Sequence, residues 1–500
     1  MKGSVAYRDL REWVAAVEAM GELVRLRGIS WDKEMGAFVE MCVRQQASRA
    51  PAFLFDEIPG YPPGYRCLYG MLASPRRFAF SMGMAVDDRL DTQAYLRAYR
   101  QRIRDIQPIP PRVVERGPIL QNVREGRAVD LLEFPVPIHH ELDGGRYIGT
   151  ADAVITRDPD EGWVNVGTYR MQVFEKDLTG LYISPGKHGR LQMDKYLKAG
   201  KPCPVVAVVG LDPLLFVAAR STIGYGLSEL DYAGGVRGEP LEVILGKETG
   251  LPIPANAEIA LEGEVLPGVR RLEGPFGEWP GYYAGGVKEE PVVRVKRIYF
   301  RDDPILTCAA SFKPPHAHLF ERCFIRSAIL WDALERANVP NVTGVWVHEA
   351  GAGRTFNVVA IKTSYCGHSR QAGILATQLA PTSYGGKWVI VVDDDIDPSN
   401  MYEVLWAMGT RCDPATDIEI IRKNWSSKID PVNLTETYYN SRAMVDATIP
   451  FETKERAAKV AVTSPELRRT MLEKYGHLFE QVLGGQRPVA AAGAPLGAGR

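Results

Sequence analysis

The stretch LEGPFGEWPGYY, residues 272–283, contains two glutamates, Glu273 and Glu278, on either side of Gly-Pro-Phe-Gly. Proline and glycine exclude a helix here, in which a spacing of five residues would splay the two carboxylates. A tight loop instead turns both carboxylates toward one point, an arrangement that suits general acid–base chemistry. Composition alone favours a surface turn with solvated glutamates, but the apolar neighbours Phe276 and Trp279 are typical of a lined pocket.

A second informative segment is NVGTYRMQV, residues 165–173, which predicts a strand with an arginine inside it. In a strand, Arg170 shares a face with Thr168 and Gln172, while Tyr169 faces the other way. The arginine is then either a surface charge or a clamp for a carboxylate, which its planar guanidinium binds through two hydrogen bonds.

Three further residues carry groups that bind metals. Asn165 lies in the same predicted strand, His188 in the Gly/Pro loop SPGKHGR, and Glu229 in GLSELDYAGG. Together an amide, an imidazole and a carboxylate would form a hard site that suits Mn²⁺ or Mg²⁺ rather than a thiolate zinc site. Each residue taken alone is more often structural or exposed, so the residues by themselves leave both interpretations open.

Changes in pattern along the chain predict a mixed α/β fold of three domains. Residues 1–110 form an N-terminal α/β region, which ends at closely spaced prolines in 107–114. Residues 111–305 hold short apolar runs between Gly/Pro turns, a pattern typical of a β-rich barrel or sandwich. Residues 306–487 return to an α/β pattern, and the small-residue segment 488–500 predicts a disordered tail.

Periodicity also predicts individual elements. Apolar residues near a 3.6-residue period predict a helix over 7–28, and AFLFDEI predicts a strand at 52–58. A long helix is predicted over 319–337, with strands at 355–362 and 387–397 after it. Because the helix predicted over 7–28 is amphipathic, the N-terminal residues do not have the pattern of a signal peptide.

Charge and cysteine content exclude several classes of protein. With 60 basic and 61 acidic side chains the net charge is −1, which gives no general attraction to nucleic acid or to an anionic membrane. The seven cysteines are scattered, which indicates reduced thiols in the cytoplasm rather than a disulfide framework or a zinc site. No apolar run is long enough to cross a bilayer.

Three long blocks, in this order, resemble the UbiD-like decarboxylases: 130–150, 272–283 and 391–414. The resemblance extends from the first helix to about residue 450. It implies a flavin-reductase-like split β-barrel for the middle domain and a C-terminal α/β oligomerisation domain, which would form a homodimer or homohexamer. It also implies prenylated FMN, made by a flavin prenyltransferase, with Mn²⁺ and K⁺ at the cofactor phosphate.

The resemblance assigns roles to residues by their position in these motifs. Arg170, Glu273 and Glu278 match the catalytic triad, and Asn165, His188 and Glu229 match the divalent-metal ligands. The residues that it places at the cofactor are Gly167, Thr168, Tyr169, Arg170, Lys187, His188, Ser221, Glu229 and Lys387. The segment Arg220-Ser221-Thr222 departs from the small or hydroxyl residues usual in this family, which leaves the K⁺ ligands open.

The activity implied is non-oxidative, reversible decarboxylation of an aromatic, heteroaromatic or otherwise α,β-unsaturated carboxylic acid. Arg170 would hold the carboxylate and Glu278 would protonate the carbon after CO₂ leaves. The alternatives are a non-catalytic cofactor-binding subunit of a larger carboxylase and a hydrolase that uses the two glutamates. The residues expected to line a substrate pocket are Tyr182, Ser184, Lys187, His316, His318, Cys323 and the loop Cys366–His368.

Overall fold

The computed structural model describes residues 5–85, 91–104, 106–221, 223–433 and 438–483, so the predicted tail at 488–500 lies outside the described residues. The chain forms two compact units. The first unit comprises Met1–Asp88, Tyr99–Ile325 and Ser427–Tyr438. The second comprises Arg89–Ala98, Arg326–Ser426 and Tyr439–Arg500.

The N-terminal region is mixed α/β, as the sequence predicts. Its elements are α1 (Leu10–Ala19), β1 (Leu23–Arg27), α2 (Glu34–Gln46), β2 (Ala52–Asp56), β3 (Arg66–Tyr69), α3 (Pro75–Ser81) and α4 (Thr92–Arg104). The first three strands pair in the order β1-β2-β3, with β1 and β2 parallel. The strand predicted at 52–58 is confirmed as β2.

The predicted single helix over 7–28 is wrong. Helix α1 begins after Asp9, whose side chain accepts a hydrogen bond from the N–H of Glu12, and ends before Gly21, which has φ 72°. The next residues form β1 and pair with β2 from Leu23↔Ala52 onward. The apolar spacing of this segment fits a helix, but pairing with a distant strand determines its structure.

The central region is β-rich. Its strands are β4 (Arg112–Val113), β5 (Asn122–Glu125), β6 (Tyr147–Gly149), β7 (Ala153–Arg157), β8 (Val164–Gly167), β9 (Met171–Glu175), β10 (Leu178–Gly180), β11 (Cys203–Gly210), β12 (Glu242–Leu245), β13 (Pro252–Pro254), β14 (Ile259–Glu273), β15 (Lys288–Phe300) and β16 (Ile305–Cys308). Its helices are α5 (His188–Lys198), α6 (Pro213–Arg220) and α7 (Glu229–Arg237).

Nine of these strands form one antiparallel sheet, curled into a half-barrel, in the order β6-β9-β10-β15-β14-β11-β7-β8 with β5 on β15. The barrel-like β-rich domain predicted from the sequence is therefore confirmed. The long pair β14–β15 runs in register from Ile259↔Phe300 to Glu273↔Lys288, with two bulges. Strand β16 leaves this region and pairs in parallel with β3, which completes the N-terminal sheet.

The second unit contains a five-stranded sheet. The chain reaches it through α8 (Leu319–Arg336), which confirms the long helix predicted there. Its other elements are β17 (Val342–Val347), β18 (Phe356–Ile361), α9 (His368–Gln378), β19 (Trp388–Asp393), α10 (Met401–Arg411), β20 (Ile418–Trp425), β21 (Tyr439–Ala447) and α11 (Pro465–Val482). The strand order is β17-β18-β19-β21-β20, and its central pairs are parallel. In the part of the chain that is described, no helix has the length and hydropathy needed to span a membrane.

A fully buried arginine ties the N-terminal sheet to α3. The guanidinium of Arg77 donates to the Glu22 carboxylate at 2.7 Å and to the Ala50 carbonyl at 2.7 Å. Burial lowers the pKa of Arg77 to about 10, so the group is still charged at neutral pH. Because these two acceptors lie just before β1 and β2, Arg77 holds the starts of both strands.

We expect Arg77→Met to lower the free energy of unfolding by about 3 kcal/mol, because it leaves a largely buried carboxylate and a carbonyl without their donor. The midpoint of the first thermal transition measures this effect. Arg8→Met is the matched control, since the Arg8–Glu12 pair is largely exposed to solvent. Equal midpoints for the two variants would contradict the assigned role of Arg77.

Candidate active site

The structure brings the three residues of the predicted triad into one buried cluster. Arg170 lies between β8 and β9, Glu273 is the last residue of β14, and Glu278 lies in the following loop. The guanidinium donates from Nε to Glu273 Oε1 at 2.6 Å and from Nη2 to Glu273 Oε2 at 2.7 Å. Its Nη1 bonds to Glu278 Oε1. Arg170 is therefore not a surface charge.

The two glutamates are bound differently. Glu273 is 1% exposed and both of its oxygens accept from Arg170, whereas Glu278 is 7% exposed and is bound through one nitrogen. Burial acts to lower the pKa of Arg170, but the charges of Glu278 and Glu273 outweigh it and the pKa is raised. The guanidinium thus stays charged, with one carboxylate clamped and the other more loosely held.

Aromatic rings surround this cation. The guanidinium carbon of Arg170 lies 4.6 Å from the centroid of the Tyr182 ring and 5.0 Å from that of Phe276. These distances are those of cation–π contacts. Phe276 belongs to the loop between the two glutamates, so the apolar lining predicted for that loop is present.

A second loop holds the glutamate loop in place. The carboxylate of Asp143 accepts from the Gly277 N–H at 2.9 Å and from the His140 ring at 3.0 Å. Burial would raise the pKa of Asp143, but its bond to His140 outweighs this and the pKa is lowered. The Gly144 N–H donates to the Pro275 carbonyl at 2.8 Å. Both contacts fix the main chain just before Glu278.

Gln172 connects these two loops. Its Oε1 accepts from the Gly274 N–H at 2.9 Å, and its Nε2 donates to the Gly144 carbonyl at 2.9 Å. The Tyr147 hydroxyl donates to the same Oε1 at 3.2 Å. Because Gln172 follows Arg170 by two residues, one strand positions both the cation and the loop that carries its second partner.

The sequence did not single out His140, Asp143, Tyr147 or Gln172 individually. The first three lie in the block 130–150, whose polar run HHELDGGR was the available signal. Nothing in that run indicates which main-chain groups its side chains would bind.

Two of the predicted metal ligands lie side by side. Asn165 is in β8, and Glu229 begins α7 and accepts from the N–H of Val166 at 2.7 Å. Burial raises the pKa of Glu229 to about 7. Nδ2 of Asn165 is buried with no hydrogen-bond partner among the described residues. The unpaired Nδ2 is a donor and would take an acceptor, whereas a cation would be bound by Oδ1 of Asn165 and by the Glu229 carboxylate.

The side chain of Tyr169 packs between Asn165 and Gly189, the residue that follows His188. Its hydroxyl lies beside Asn165, and its ring occupies the space where Cβ atoms on Gly167 and Gly189 would lie. Burial raises the pKa of Tyr169 to about 12. His188, the first residue of α5, is thereby adjacent to the contact between Gly189 and Tyr169.

Asp152 binds the turn formed by Gly167, Thr168 and Tyr169. It is fully buried, and its Oδ1 accepts from the Tyr169 N–H at 3.2 Å while its carbonyl accepts from the Thr168 hydroxyl at 3.1 Å. Burial raises the pKa of Asp152 well above its usual range. The predicted cofactor residues Gly167, Thr168 and Tyr169 therefore form one braced turn before the arginine.

In the described parts of the chain, no group of three or more His, Cys, Asp or Glu side chains could hold a metal ion. The set Asn165, His188 and Glu229 has only two such residues, and its third ligand would be an amide. A divalent ion of the Mn²⁺ type accepts this donor set.

The remaining predicted cofactor residues lie at the edges of elements. Lys187 is exposed just before α5, and Ser221 follows α6, where its hydroxyl donates to the Val217 carbonyl at 2.8 Å. Arg220 is paired with Glu321. Lys387 precedes β19 in the second unit, and its predicted role at the cofactor stays a prediction.

The predicted pocket residues fall into three groups. Tyr182 contacts Arg170, and the Ser184 hydroxyl donates to the Tyr182 hydroxyl at 3.3 Å. His316 and His318 are buried just before α8, and burial lowers the pKa of each well below its usual range. Both are therefore neutral at pH 7. The third group is the remainder, which is not clustered: Lys187 is exposed before α5, Cys323 is buried in α8 in the first unit, and Cys366–His368 lie in the second unit.

A substitution tests the close packing of the loops that carry Gly144 and Gly274. A Cβ on Gly144 would lie 1.9 Å from the Gly274 carbonyl oxygen, so Gly144→Ala must displace one of the two loops. We expect it to destabilise the protein by about 1–3 kcal/mol, as overpacking does. Gly285→Ala is the control, because a Cβ there meets no atom within 4 Å. Thermal midpoints compare the variants, and equal values would contradict the close packing of the loops.

Three family models match the chain in order. They are described as the N-terminal, Rift-related and C-terminal domains of 3-octaprenyl-4-hydroxybenzoate carboxy-lyase, and they match residues 14–96, 112–314 and 321–447.

Curated relatives match over most of their length. The chain is 34% identical to pyrrole-2-carboxylic acid decarboxylase of Pseudomonas aeruginosa, over 82% of this chain and 84% of that protein. It is 32% identical to phenolic acid decarboxylase of Bacillus subtilis, over 90% of this chain and 94% of that protein.

Solved structures agree with these relatives. An evolved dimeric form of the UbiD-class enzyme HmfF from Pelotomaculum thermopropionicum, in complex with prFMN, superimposes with a TM-score of 0.77. It shares 29% sequence identity and covers 94% of this chain and all of that chain. Because the family models, the relatives and the solved fold all extend over most of the chain, the protein belongs to the UbiD family.

Proposed function

We propose that this protein is a carboxy-lyase that removes CO₂ from an aromatic or heteroaromatic carboxylic acid without oxidation, with prenylated FMN as cofactor. The observation that carries the proposal is the buried cluster of Arg170, Glu273 and Glu278. Its relatives are named as decarboxylases of pyrrole-2-carboxylic and phenolic acids, and a solved relative binds prFMN. The reaction is reversible in principle, so high CO₂ would favour carboxylation.

The chemistry divides between cofactor and protein. Loss of CO₂ from an sp² carbon leaves a carbanion without stabilisation, and the bound flavin supplies the electron sink. The guanidinium of Arg170 orients the substrate carboxylate and stays charged throughout. Walls formed by Tyr182 and Phe276 exclude water around it.

The two glutamates have different tasks. Glu273 holds Arg170 with both oxygens, so it fixes the direction of the guanidinium. Glu278 has only one bond to that cation and lies on a braced loop. Its carboxyl gives a proton to the carbon that CO₂ has left. A hydrolase with Glu273 as acid and Glu278 as nucleophile is disfavoured, because both oxygens of Glu273 already accept hydrogen bonds from Arg170.

The cofactor would lie on the turn Gly167–Tyr169, with Mn²⁺ held by Asn165, His188 and Glu229. The buried carboxylate of Glu229 beside the buried Asn165 supports this assignment. The metal would neutralise phosphate charge and anchor the cofactor. We place K⁺ near Ser221, and Lys187 and Lys387 at the cofactor, on the resemblance of the sequence alone. A flavin prenyltransferase would supply the cofactor.

We further propose a cytoplasmic homodimer or homohexamer that assembles through the C-terminal domain. All seven cysteines are free, which suits a reducing compartment. Helix α10 exposes large apolar side chains, with Tyr402 71% and Leu405 54% exposed. Exposed apolar side chains grouped on one helix are typical of interfaces.

Glu278→Gln tests the proton donor. We expect it to lower decarboxylation at least about 100-fold, because an amide has no acidic proton to give, while the flavin absorbance of the protein is retained. The assay is CO₂ release from a panel of aromatic acids by protein co-produced with a flavin prenyltransferase. Glu289→Gln, at an exposed position on β15, is the control. Full activity of Glu278→Gln would remove this residue as donor. A wild type that binds no flavin would favour the hydrolase, and one that binds flavin but releases no CO₂ would favour the non-catalytic subunit.

Glu229→Gln tests the metal site. It removes a charged ligand, so we expect at least about tenfold less bound manganese and weaker retention of the flavin. Asp231→Asn, in the same first turn of α7, is the matched control. Elemental analysis and absorbance spectra measure both effects. Unchanged manganese in Glu229→Gln would place the metal elsewhere.

A further inference from the structure

A segment near the C-terminus contributes to the first unit. Ser427–Tyr438 follows β20, a strand of the second unit, yet it packs within the first unit. Of its described residues, Lys428 and Tyr438 contact the central sheet. Neither residue was singled out by the sequence.

Lys428 forms a buried ion pair. Its Nζ donates to Glu290 Oε1 at 2.8 Å, and the two side chains are 11% and 7% exposed. The same Nζ lies 4.5 Å from the centroid of the Tyr182 ring. Arg170 lies 4.6 Å from the centroid of that ring. One tyrosine therefore contacts both cations.

Strand register places this pair beside the glutamate cluster. Glu273 lies directly opposite Lys288 on β15, and Glu290 lies two residues further along the same strand. Directly opposed residues and alternate residues share a face of a sheet. Glu290 therefore shares the face of Glu273. Lys288 is itself tied to the segment, since its Nζ donates to the Tyr438 hydroxyl at 3.1 Å.

The charges on this face bear on substrate binding. Around Tyr182 lie two cations, Arg170 and Lys428, and three carboxylates, Glu273, Glu278 and Glu290. A third cation, the partly exposed Arg270, lies 3.9 Å from the other oxygen of Glu290. Without Lys428, Glu290 would keep only this longer contact, and a further carboxylate would bind more weakly. Interactions between poorly solvated charges at these distances change affinity by an order of magnitude.

We infer that Lys428, paired with Glu290, is a positioning residue of the active site that holds Tyr182 and offsets carboxylate charge, so that the site accepts an anionic substrate. This inference rests on the proposed function. Lys428 acts by its contact with Tyr182 and by its charge, and it takes no part in making or breaking bonds of the substrate.

The test compares three variants as holoprotein, co-produced with a flavin prenyltransferase. Lys428→Met leaves Glu290 with only its longer contact to the partly exposed Arg270, so we expect KM for benzoate-type or pyrrole-2-carboxylate substrates to rise roughly tenfold with little change in kcat. Lys428→Arg keeps the charge and retains KM. The double variant Lys428→Met/Glu290→Gln removes one charge of each sign, so we expect KM to return to within about threefold of wild type.

A second readout does not require turnover. Ligands that bind the folded state raise its thermal midpoint, so benzoate and pyrrole-2-carboxylate should stabilise wild type and the double variant, and Lys428→Met much less. Lys296→Met is the matched control, because it breaks the more exposed Lys296–Glu264 pair that involves the same strand. Its KM and its ligand-induced shift should match those of wild type.

The outcomes separate the two proposals. If the double variant binds as poorly as Lys428→Met, the role of Lys428 is packing and the inference fails, although the proposed function stands. Wild-type affinity in Lys428→Met overturns the inference in the same way. If no aromatic carboxylate in the panel stabilises wild-type holoprotein, and none is turned over by it, the proposed function fails and this inference fails with it.

Discussion

The burial of one guanidinium with two carboxylates is the constraint on which the rest of the structure depends. Taking these charges out of water costs several kcal/mol per ion, and only close pairing offsets that cost. Arg170, Glu273 and Glu278 meet this requirement because the half-barrel sheet brings the start of β9 to the end of β14, although more than one hundred residues separate them. The sheet order is thus a condition for a stable ion cluster.

That cluster in turn restricts the loops around it. The loop between the two glutamates runs so close to residues 139–147 that a Cβ on Gly277 would lie 2.6 Å from the His140 ring. Main-chain groups of the loop are bound by Asp143 and Gln172, which are themselves buried. Because polar groups buried at such contacts need partners, a change in either loop alters the position of Glu278.

The sequence predicts the residues of the ion cluster better than it predicts the residues that hold the surrounding loops. The residues alone left Glu273, Glu278 and Arg170 open between a site and surface charges, and the resemblance to the family assigned them to a triad. The changes in pattern along the chain predicted the α/β–β–α/β order. Periodicity predicted α8 and β2 but merged α1 with β1, because pairing with a strand more than twenty residues away overrides a local pattern. Lys428 was not identified because no local pattern shows that a segment after β20 returns to the first unit.

The unequal bonding of the two glutamates is consistent with the proposed role of Glu278 as proton donor. A carboxyl group that delivers a proton must leave its partner in each cycle, and the free energy lost is smaller when one hydrogen bond breaks than when two do. Glu273 lies in the strand ladder, opposite Lys288, and would lose a bidentate pair. Glu278 lies outside the ladder, where its N–H donates to the Tyr282 carbonyl at 3.0 Å and fixes the main chain. The fold therefore clamps Arg170 through two bonds to one carboxylate and leaves the proposed donor with a single bond to break.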